Sequence, residues 1–165
     1  MNILIIGGTG VLSSAVVNEA IKKGFDVTMI NRGKRKHLIP DSVELLIADK
    51  DDKKKIQSFL GTFDAVMDYL CCSAKDTEKS FNFYSQYTKQ YFFISSCAVY
   101  NTALGGICKE DAPKVLPIWD YSVNKWKSEE HLISLAANTD VHYTIVRPCV
   151  TYGDTRIPYG IVPMY

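Results

Sequence analysis

Two patterns of apolar and polar residues alternate along the chain. Short continuous apolar runs predict strands buried on both faces, and apolar residues at helical spacing predict amphipathic helices. The predicted strands cover residues 3–6, 25–30, 42–47, 64–67, 91–94 and 141–146. The predicted helices cover residues 11–23, 53–60, 76–89 and 119–137. This alternation predicts the α/β class, with a doubly wound parallel sheet between helices in three α/β/α layers.

Two stretches follow neither pattern. Residues 98–117 contain several glycines and prolines, and residues 151–165 are rich in Gly, Pro and Tyr. A long irregular loop inside a compact domain is usually functional. In the third helix, Phe81, Tyr84 and Tyr87 recur at three-residue steps, which favours packing over a cofactor contact.

Composition narrows the class of protein. The 165 residues are 47% hydrophobic and 22% charged, which is typical of one soluble globular domain over 1–165. A net charge of +1 provides no electrostatic argument for nucleic acid or a membrane surface as a partner. The opening apolar run is too short for a signal or membrane segment and is predicted as a strand. The cysteines, which are scattered and odd in number, favour a cytoplasmic protein.

The five cysteines are scattered and contain no C-x-x-C pair. This spacing argues against a disulfide framework and against a zinc or other metal site. We expect reduced thiols, most of them acting as small core residues.

A glycine-rich turn joins the first predicted strand to the first helix. Gly7 and Gly10 let the backbone reverse tightly and approach a ligand closely. The N–H groups that open the helix, at Val11 and Leu12, would face an anion, and a dinucleotide pyrophosphate is the usual occupant of such a turn in a Rossmann fold. An ordinary tight turn is the alternative. Ser13 stands where the third glycine of the pattern is expected, and its small side chain predicts a slightly looser turn.

The end of the second strand bears on the choice of cofactor. A site for NAD usually has an acid here for the ribose 2′-hydroxyl, whereas this chain has Asn31 followed by Arg32. Asn31 does not repel a phosphate, and Arg32 can pair with a 2′-phosphate in two-pronged fashion. NADP is therefore favoured over NAD, and the alternative is a solvated basic loop over residues 32–36. Asp49, after the third strand, could either meet the adenine amino group or cap the next helix.

Three polar residues in the second half form a candidate catalytic set. Tyr121 and Lys125 are four residues apart on the predicted fourth helix and project from one face. A phenol with a pKa of about 10 is a poor acid or base at neutral pH, but a nearby ammonium favours its ionised form. Lys125 could also hold cofactor ribose hydroxyls. Ser96, at the end of the fifth strand, could hold the substrate oxygen.

Five sequence motifs occur together in one order: GGTGVLS at 7–13, ADKDD at 48–52, FISSCAVY at 93–100, YSVNK at 121–125 and RPCVTYG at 147–153. In this the chain resembles the extended short-chain dehydrogenase/reductase superfamily, in its NAD-dependent epimerase/dehydratase-like branch. The resemblance implies that Ser96, Tyr121 and Lys125 are a catalytic triad with Tyr121 as general acid/base. It assigns the pyrophosphate to Gly7 and Gly10, the 2′-phosphate to Arg32 and the adenine to Asp49. A fourth family residue could be Asn82.

The resemblance also implies a function. We expect hydride transfer between a nicotinamide and an oxygen-bearing carbon of a small-molecule substrate, either a nucleotide sugar or another carbonyl compound. Extended members continue into a substrate-binding lobe, so a chain ending at Tyr165 is expected to be truncated or a short form, with apolar surface exposed or covered in a homodimer. The alternative is a non-catalytic NADP-binding sensor or an RNA-associated module.

Overall fold

The computed structural model describes residues 1–101, 103, 105, 107–114 and 119–153. The strands among these residues are β1 (Asn2–Ile6), β2 (Asp26–Asn31), β3 (Glu44–Ile47), β4 (Ala65–Asp68), β5 (Gln90–Ile94) and β6 (His142–Val146). The α-helices of the described residues are α1 (Val11–Lys22), α2 (Lys53–Gln57), α3 (Ala74–Tyr84) and α4 (Asp120–Ala136). The predicted tail lies outside the described residues from 154 onwards, as do residues 102, 104, 106 and 115–118 of the predicted loop.

The strands form a six-stranded sheet in the order β3-β2-β1-β4-β5-β6. β1 pairs in parallel with β2 and β4, β2 pairs in parallel with β3, and β5 pairs in parallel with β6. Strand order 3-2-1-4-5-6 is that of a doubly wound Rossmann sheet. The predicted fold class is therefore confirmed.

The chain divides into two compact units. The first holds Met1–Leu70 with the described tail residues 150–153, and the second holds Cys71–Cys149. The assignment of a single domain to 1–165 stays a prediction.

Each unit has its own apolar core. In the first, Ile3–Ile6 is buried, as expected for a central strand with neighbours on both edges. In the second, Phe81 and Tyr84 are buried, with the Phe81 ring edge-on to Tyr91 at 5.4 Å between centroids. The predicted packing role of the aromatic stripe is confirmed for these two residues, while Tyr87 is half-buried. No helix of the described chain has the length and apolar character needed to cross a bilayer.

Three helix boundaries differ from the prediction by more than one residue. α3 ends at Tyr84 instead of 89, since the chain continues as the 3₁₀ turn Ser85–Tyr87. α3 begins at Ala74 instead of 76, since the Ser73 hydroxyl accepts the Asp76 N–H at 3.1 Å and caps the helix. α2 ends at Gln57 instead of 60, since Phe59 and Leu60 both donate to the Ile56 carbonyl and tighten the turn.

Candidate functional site

The glycine turn after β1 depends on backbone conformations that other residues avoid. Gly7 has φ 111° and Gly8 has φ 90°, both in the region that favours glycine. A Cβ on Gly8 would also lie 2.6 Å from the Met29 sulfur. The Gly7 N–H donates to the Ile30 carbonyl at 2.9 Å, so the turn continues directly from the β1–β2 ladder.

Gly10 is the N-cap of α1 and is extended, with φ −89° and ψ 169°. A Cβ built on it meets one described atom within 4 Å, the Ser13 hydroxyl at 3.4 Å. Val11 and Leu12 open the helix, and first-turn N–H groups have no partner within a helix. The turn therefore offers donors beside an uncrowded backbone, as an anion requires.

Ser13, in the third-glycine position, does more than occupy little space. Its side chain is buried, and its hydroxyl accepts the Gly10 N–H at 2.9 Å. The Gly10 N–H is thus satisfied inside the protein. The helix start is fixed by a serine where the family pattern relies on a bare glycine.

Asn31 braces the glycine turn. Its side-chain amide donates to the Gly7 carbonyl at 2.6 Å and to the Thr9 hydroxyl at 3.3 Å, and its oxygen accepts the Gly33 N–H at 2.9 Å. The NH₂ group that donates here has no counterpart in a carboxylate. The lack of charge at Asn31 was visible in the sequence, but this bracing role was not.

The remaining predicted cofactor residues of the first unit lie on its surface. Arg32 is exposed directly after β2, within the basic segment that continues to Lys36. Asp49 is exposed, and its carboxylate accepts the Asp51 N–H at 3.0 Å. The cap of α2 is Asp52, whose side chain accepts the Lys55 N–H, so the helix-cap alternative for Asp49 is wrong. Its adenine contact stays a prediction.

In the second unit, α4 is bonded to the chain on both sides of Ser96. Lys125 is 6% exposed, and its ammonium donates to the carbonyls of Ile94 at 2.8 Å and Cys71 at 2.7 Å. The Ser122 hydroxyl donates to the Ala98 carbonyl at 2.5 Å. The segment that carries Ser96 is therefore fixed to the helix that carries Tyr121 and Lys125.

The two hydroxyls of the candidate triad are less buried than its lysine. Ser96 caps the short 3₁₀ turn Cys97–Val99 through its hydroxyl, which accepts the Ala98 N–H at 3.2 Å. Tyr121 is 41% exposed in the first turn of α4, with its ring 5.1 Å from that of Trp119. Asn82, the fourth site residue that the family resemblance suggested, is exposed on α3.

An ion pair between the fully buried Glu129 and the partly buried Arg147 completes this arrangement, and it was not predicted from the sequence. The Arg147 guanidinium donates two hydrogen bonds to the Glu129 carboxylate, from Nε to Oε1 at 3.0 Å and from Nη2 to Oε2 at 2.7 Å. Glu129 is fully buried and also accepts the Ser95 hydroxyl. The hydrogen bonds that Arg147 donates to Glu129 raise its pKa, burial lowers it, and the bond donated to the Tyr100 hydroxyl raises it further.

The helical repeat gives these contacts a common origin. Positions 121, 125 and 129 are four apart, so Tyr121, Lys125 and Glu129 share a face of α4. We call Ser122, Lys125 and Glu129, which bond to residues 94–98, the α4 clamp. The four-residue spacing beyond Lys125 was a visible signal for Glu129, but its partners could not be identified from spacing.

Comparison with known proteins places this geometry in a family. The family model for the NAD dependent epimerase/dehydratase family matches residues 3–164. UDP-arabinose 4-epimerase 1 of Arabidopsis thaliana is 23% identical over 88% of this chain and 42% of its own length.

Two solved structures are similar in fold. The UDP-Glc/GlcNAc 4-epimerase of Campylobacter jejuni has a TM-score of 0.77 at 21% identity, covering 88% of this chain and 52% of that one. The UDP-glucose 4-epimerase of Thermus thermophilus, in complex with NAD, has a TM-score of 0.74 at 18% identity, covering 89% and 54%. This chain spans about half the length of these relatives. The match over nearly all of the sequence, with the doubly wound sheet, shows that the chain belongs to the NAD dependent epimerase/dehydratase family.

Proposed function

We propose that residues 1–165 are a dinucleotide-binding domain that uses a nicotinamide cofactor to act on a nucleotide sugar or another carbonyl compound. The observation that carries this proposal is the α4 clamp, which ties Ser96 to the helix bearing Tyr121 and Lys125. A clamp of three buried polar groups restrains the reacting groups, as acid/base catalysis requires.

The residues of the first unit fit such a cofactor. The N–H groups at Val11 and Leu12 would hold the pyrophosphate beside the backbone of Gly7 and Gly10, which carry no side chain to obstruct it. Arg32 would pair with a 2′-phosphate, and Asp49 would meet the adenine. We therefore favour NADP, with NAD as the alternative.

Three residues of the second unit would do the proton chemistry. Tyr121 would exchange a proton with the substrate oxygen, and Ser96 would donate a hydrogen bond to that oxygen. Lys125 supplies a fixed positive charge on the same helix face. When bound, a nicotinamide accepts or returns a hydride at the carbon bearing the oxygen.

Fluorescence titration with NADPH and NADH tests the cofactor. We expect NADPH to bind more tightly, and Arg32→Ala to weaken NADPH by about 10-fold or more while leaving NADH unchanged, as for loss of a charged hydrogen bond. Lys36→Ala, in the same exposed basic segment, is the matched control. Equal effects of Arg32→Ala on both nucleotides would refute the choice of NADP, and failure of both to bind would refute the proposal.

A panel of UDP-sugars, the substrates named for the similar epimerases, tests turnover. Ser96→Ala should lower kcat by roughly 10²-fold, as for a lost donor to a developing oxyanion. Ser85→Ala, at the end of α3, is the control. A Ser96→Ala variant as active as wild type would remove this residue from the mechanism.

A second candidate is a cofactor-binding module without turnover. Two hydrogen-bond donors of the candidate site favour this interpretation because both already have acceptors within the protein. The Gly10 N–H donates to the Ser13 hydroxyl, and the Lys125 ammonium donates to two backbone carbonyls. Nucleotide binding without conversion of any sugar would support it. The RNA-associated form gains no support from a net charge of +1.

A further inference from the structure

Two thiols meet where β5 and β6 end. Beyond the strands, Ser95 N–H donates to the Val146 carbonyl at 2.8 Å and Cys97 N–H donates to the Pro148 carbonyl at 2.9 Å. These bonds extend the parallel ladder, so Cys97 lies opposite Cys149. Their sulfurs are 3.3 Å apart.

This position suits a covalent bond between the two sulfurs. Neighbouring strands run roughly 4.8 Å apart, within the span of roughly 4.4–6.8 Å that joins the Cα atoms of a disulfide. The sulfurs need to approach by only about 1 Å to reach bonding distance. The expectation that most cysteines are small core residues is wrong, since Cys71 is buried and the other four are exposed or partly exposed. Cys149 is exposed and Cys97 partly so, which gives a reagent access to the pair.

We propose that Cys97 and Cys149 are a redox modification site, which a low-molecular-weight disulfide such as oxidised glutathione converts to an intramolecular disulfide. The Cys149 thiolate attacks one glutathione sulfur, the glutathione disulfide breaks, and one glutathione thiolate leaves. Cys97 loses its proton to that thiolate and attacks the Cys149 sulfur, which releases the second glutathione. Two protein thiols are oxidised and one glutathione disulfide is reduced, so the electrons balance.

The order of attack follows from the surroundings of the two thiols. Burial, together with the contacts to Cys149, raises the pKa of Cys97 to about 11. Cys97 is therefore the resolving thiol and the more exposed Cys149 the first nucleophile. Because a thiol of high pKa is also a poor leaving group, the finished disulfide should be reduced slowly.

The site adjoins the proposed catalytic serine. Cys97 follows Ser96 directly and begins the 3₁₀ turn that the Ser96 hydroxyl caps. A bond from Cys97 to Cys149 would fix this turn to the segment after β6. The chemistry of the pair does not depend on the proposed function.

The competing thiols provide the controls. Cys108 is exposed and contributes electrostatically to the raised pKa of Cys97, and Cys72 is exposed elsewhere in the second unit. Cys108→Ser and Cys72→Ser each remove one of these exposed thiols while retaining the proposed pair.

The test is peptide mapping of the whole chain after incubation with oxidised glutathione and alkylation of remaining thiols. Chymotrypsin cleaves after Tyr100 and so separates Cys97 from Cys108. We expect the wild type to lose the mass of two hydrogen atoms and to show one cross-link between the Cys97 and Cys149 peptides, which Cys108→Ser and Cys72→Ser retain. Cys149→Ser should abolish it.

Glutathione adducts on the exposed cysteines without a cross-link, or a cross-link that involves Cys108, would overturn the proposal. The wild-type peptide map alone shows whether the Cys97–Cys149 cross-link forms, so the test does not depend on whether the Cys149→Ser variant folds. Enzyme activity does not enter the measurement.

Discussion

The glycine turn and the α4 clamp are held in place by different kinds of force. The turn relies first on backbone geometry, with positive φ at Gly7 and Gly8, and one neighbouring side chain, Asn31, braces it. The clamp relies on buried side chains, in which Ser122, Lys125 and Glu129 bond to the segment around Ser96. A turn of this kind tolerates substitutions at other positions as long as its glycines are kept. A buried polar cluster, in contrast, is destabilised when one of its members is removed.

The largest effect should come from Glu129→Ala, which leaves Arg147 and Ser95 without their carboxylate partner. Removing one partner of a buried pair costs about 3–5 kcal/mol of the free energy of unfolding. Urea unfolding measures it. Glu130→Ala, at the exposed neighbouring position, should change stability by less than about 0.5 kcal/mol. Similar small losses for both variants would show that the ion pair does not stabilise the clamp.

Gly8→Ala should have the next largest effect, about 2 kcal/mol, because a Cβ is strained at φ 90° and overlaps the Met29 side chain. Gly24→Ala is a graded control, since Gly24 has φ 72° but no described atom within 4 Å of a built Cβ. The difference in thermal stability between the two variants measures the cost of the overlap between the new Cβ and the Met29 side chain. Equal losses would mean that Met29 moves aside freely.

Asn31→Asp tests the brace between β2 and the turn. The substitution restores the acid of the family pattern, but its carboxylate would face the Gly7 carbonyl to which the amide now donates. We expect a loss of about 1–2 kcal/mol in urea unfolding. Asn18→Asp, on the exposed side of α1, is the control. An Asn31→Asp variant as stable as wild type would show that the brace is dispensable.

The smallest effect should come from Ser13→Ala, which leaves the Gly10 N–H without its hydroxyl acceptor. The expected loss is about 1 kcal/mol in urea unfolding. Ser14→Ala, next along α1, should stay within about 0.5 kcal/mol. If Ser13→Ala also tightened nucleotide binding, the released N–H would be identified as a cofactor ligand. Loosened binding would instead assign Ser13 to shaping the turn.

These two regions also differ in how far they can be predicted from sequence. The apolar run Ile3–Ile6 and the glycines after it predicted β1, the turn and α1 because all these signals are local. The capping by Ser73 moved the start of α3, although a serine three residues before Asp76 was visible. Local chemistry therefore accounts for most of the fold.

The clamp could be predicted only in part. Tyr121 and Lys125 stood out by their spacing, but the pairing of Glu129 with Arg147 joins residues on separate elements and follows from tertiary packing. The bracing role of Asn31 was missed for the same reason, since its acceptors lie 24 and 22 residues away. The order of motifs in the sequence indicated the family, and the structure supplied these contacts.

The most direct test of the account is a single-turnover measurement on the chain loaded with oxidised nicotinamide cofactor and mixed with UDP-sugars, following the absorbance of reduced nicotinamide. We predict that the wild type forms reduced nicotinamide with at least one sugar and that Tyr121→Phe slows this at least about 10²-fold. Tyr143→Phe, at a similarly exposed tyrosine of β6, should react like wild type. Equal rates for wild type and Tyr121→Phe, or no reduced nicotinamide from the wild type with any sugar, would contradict the account.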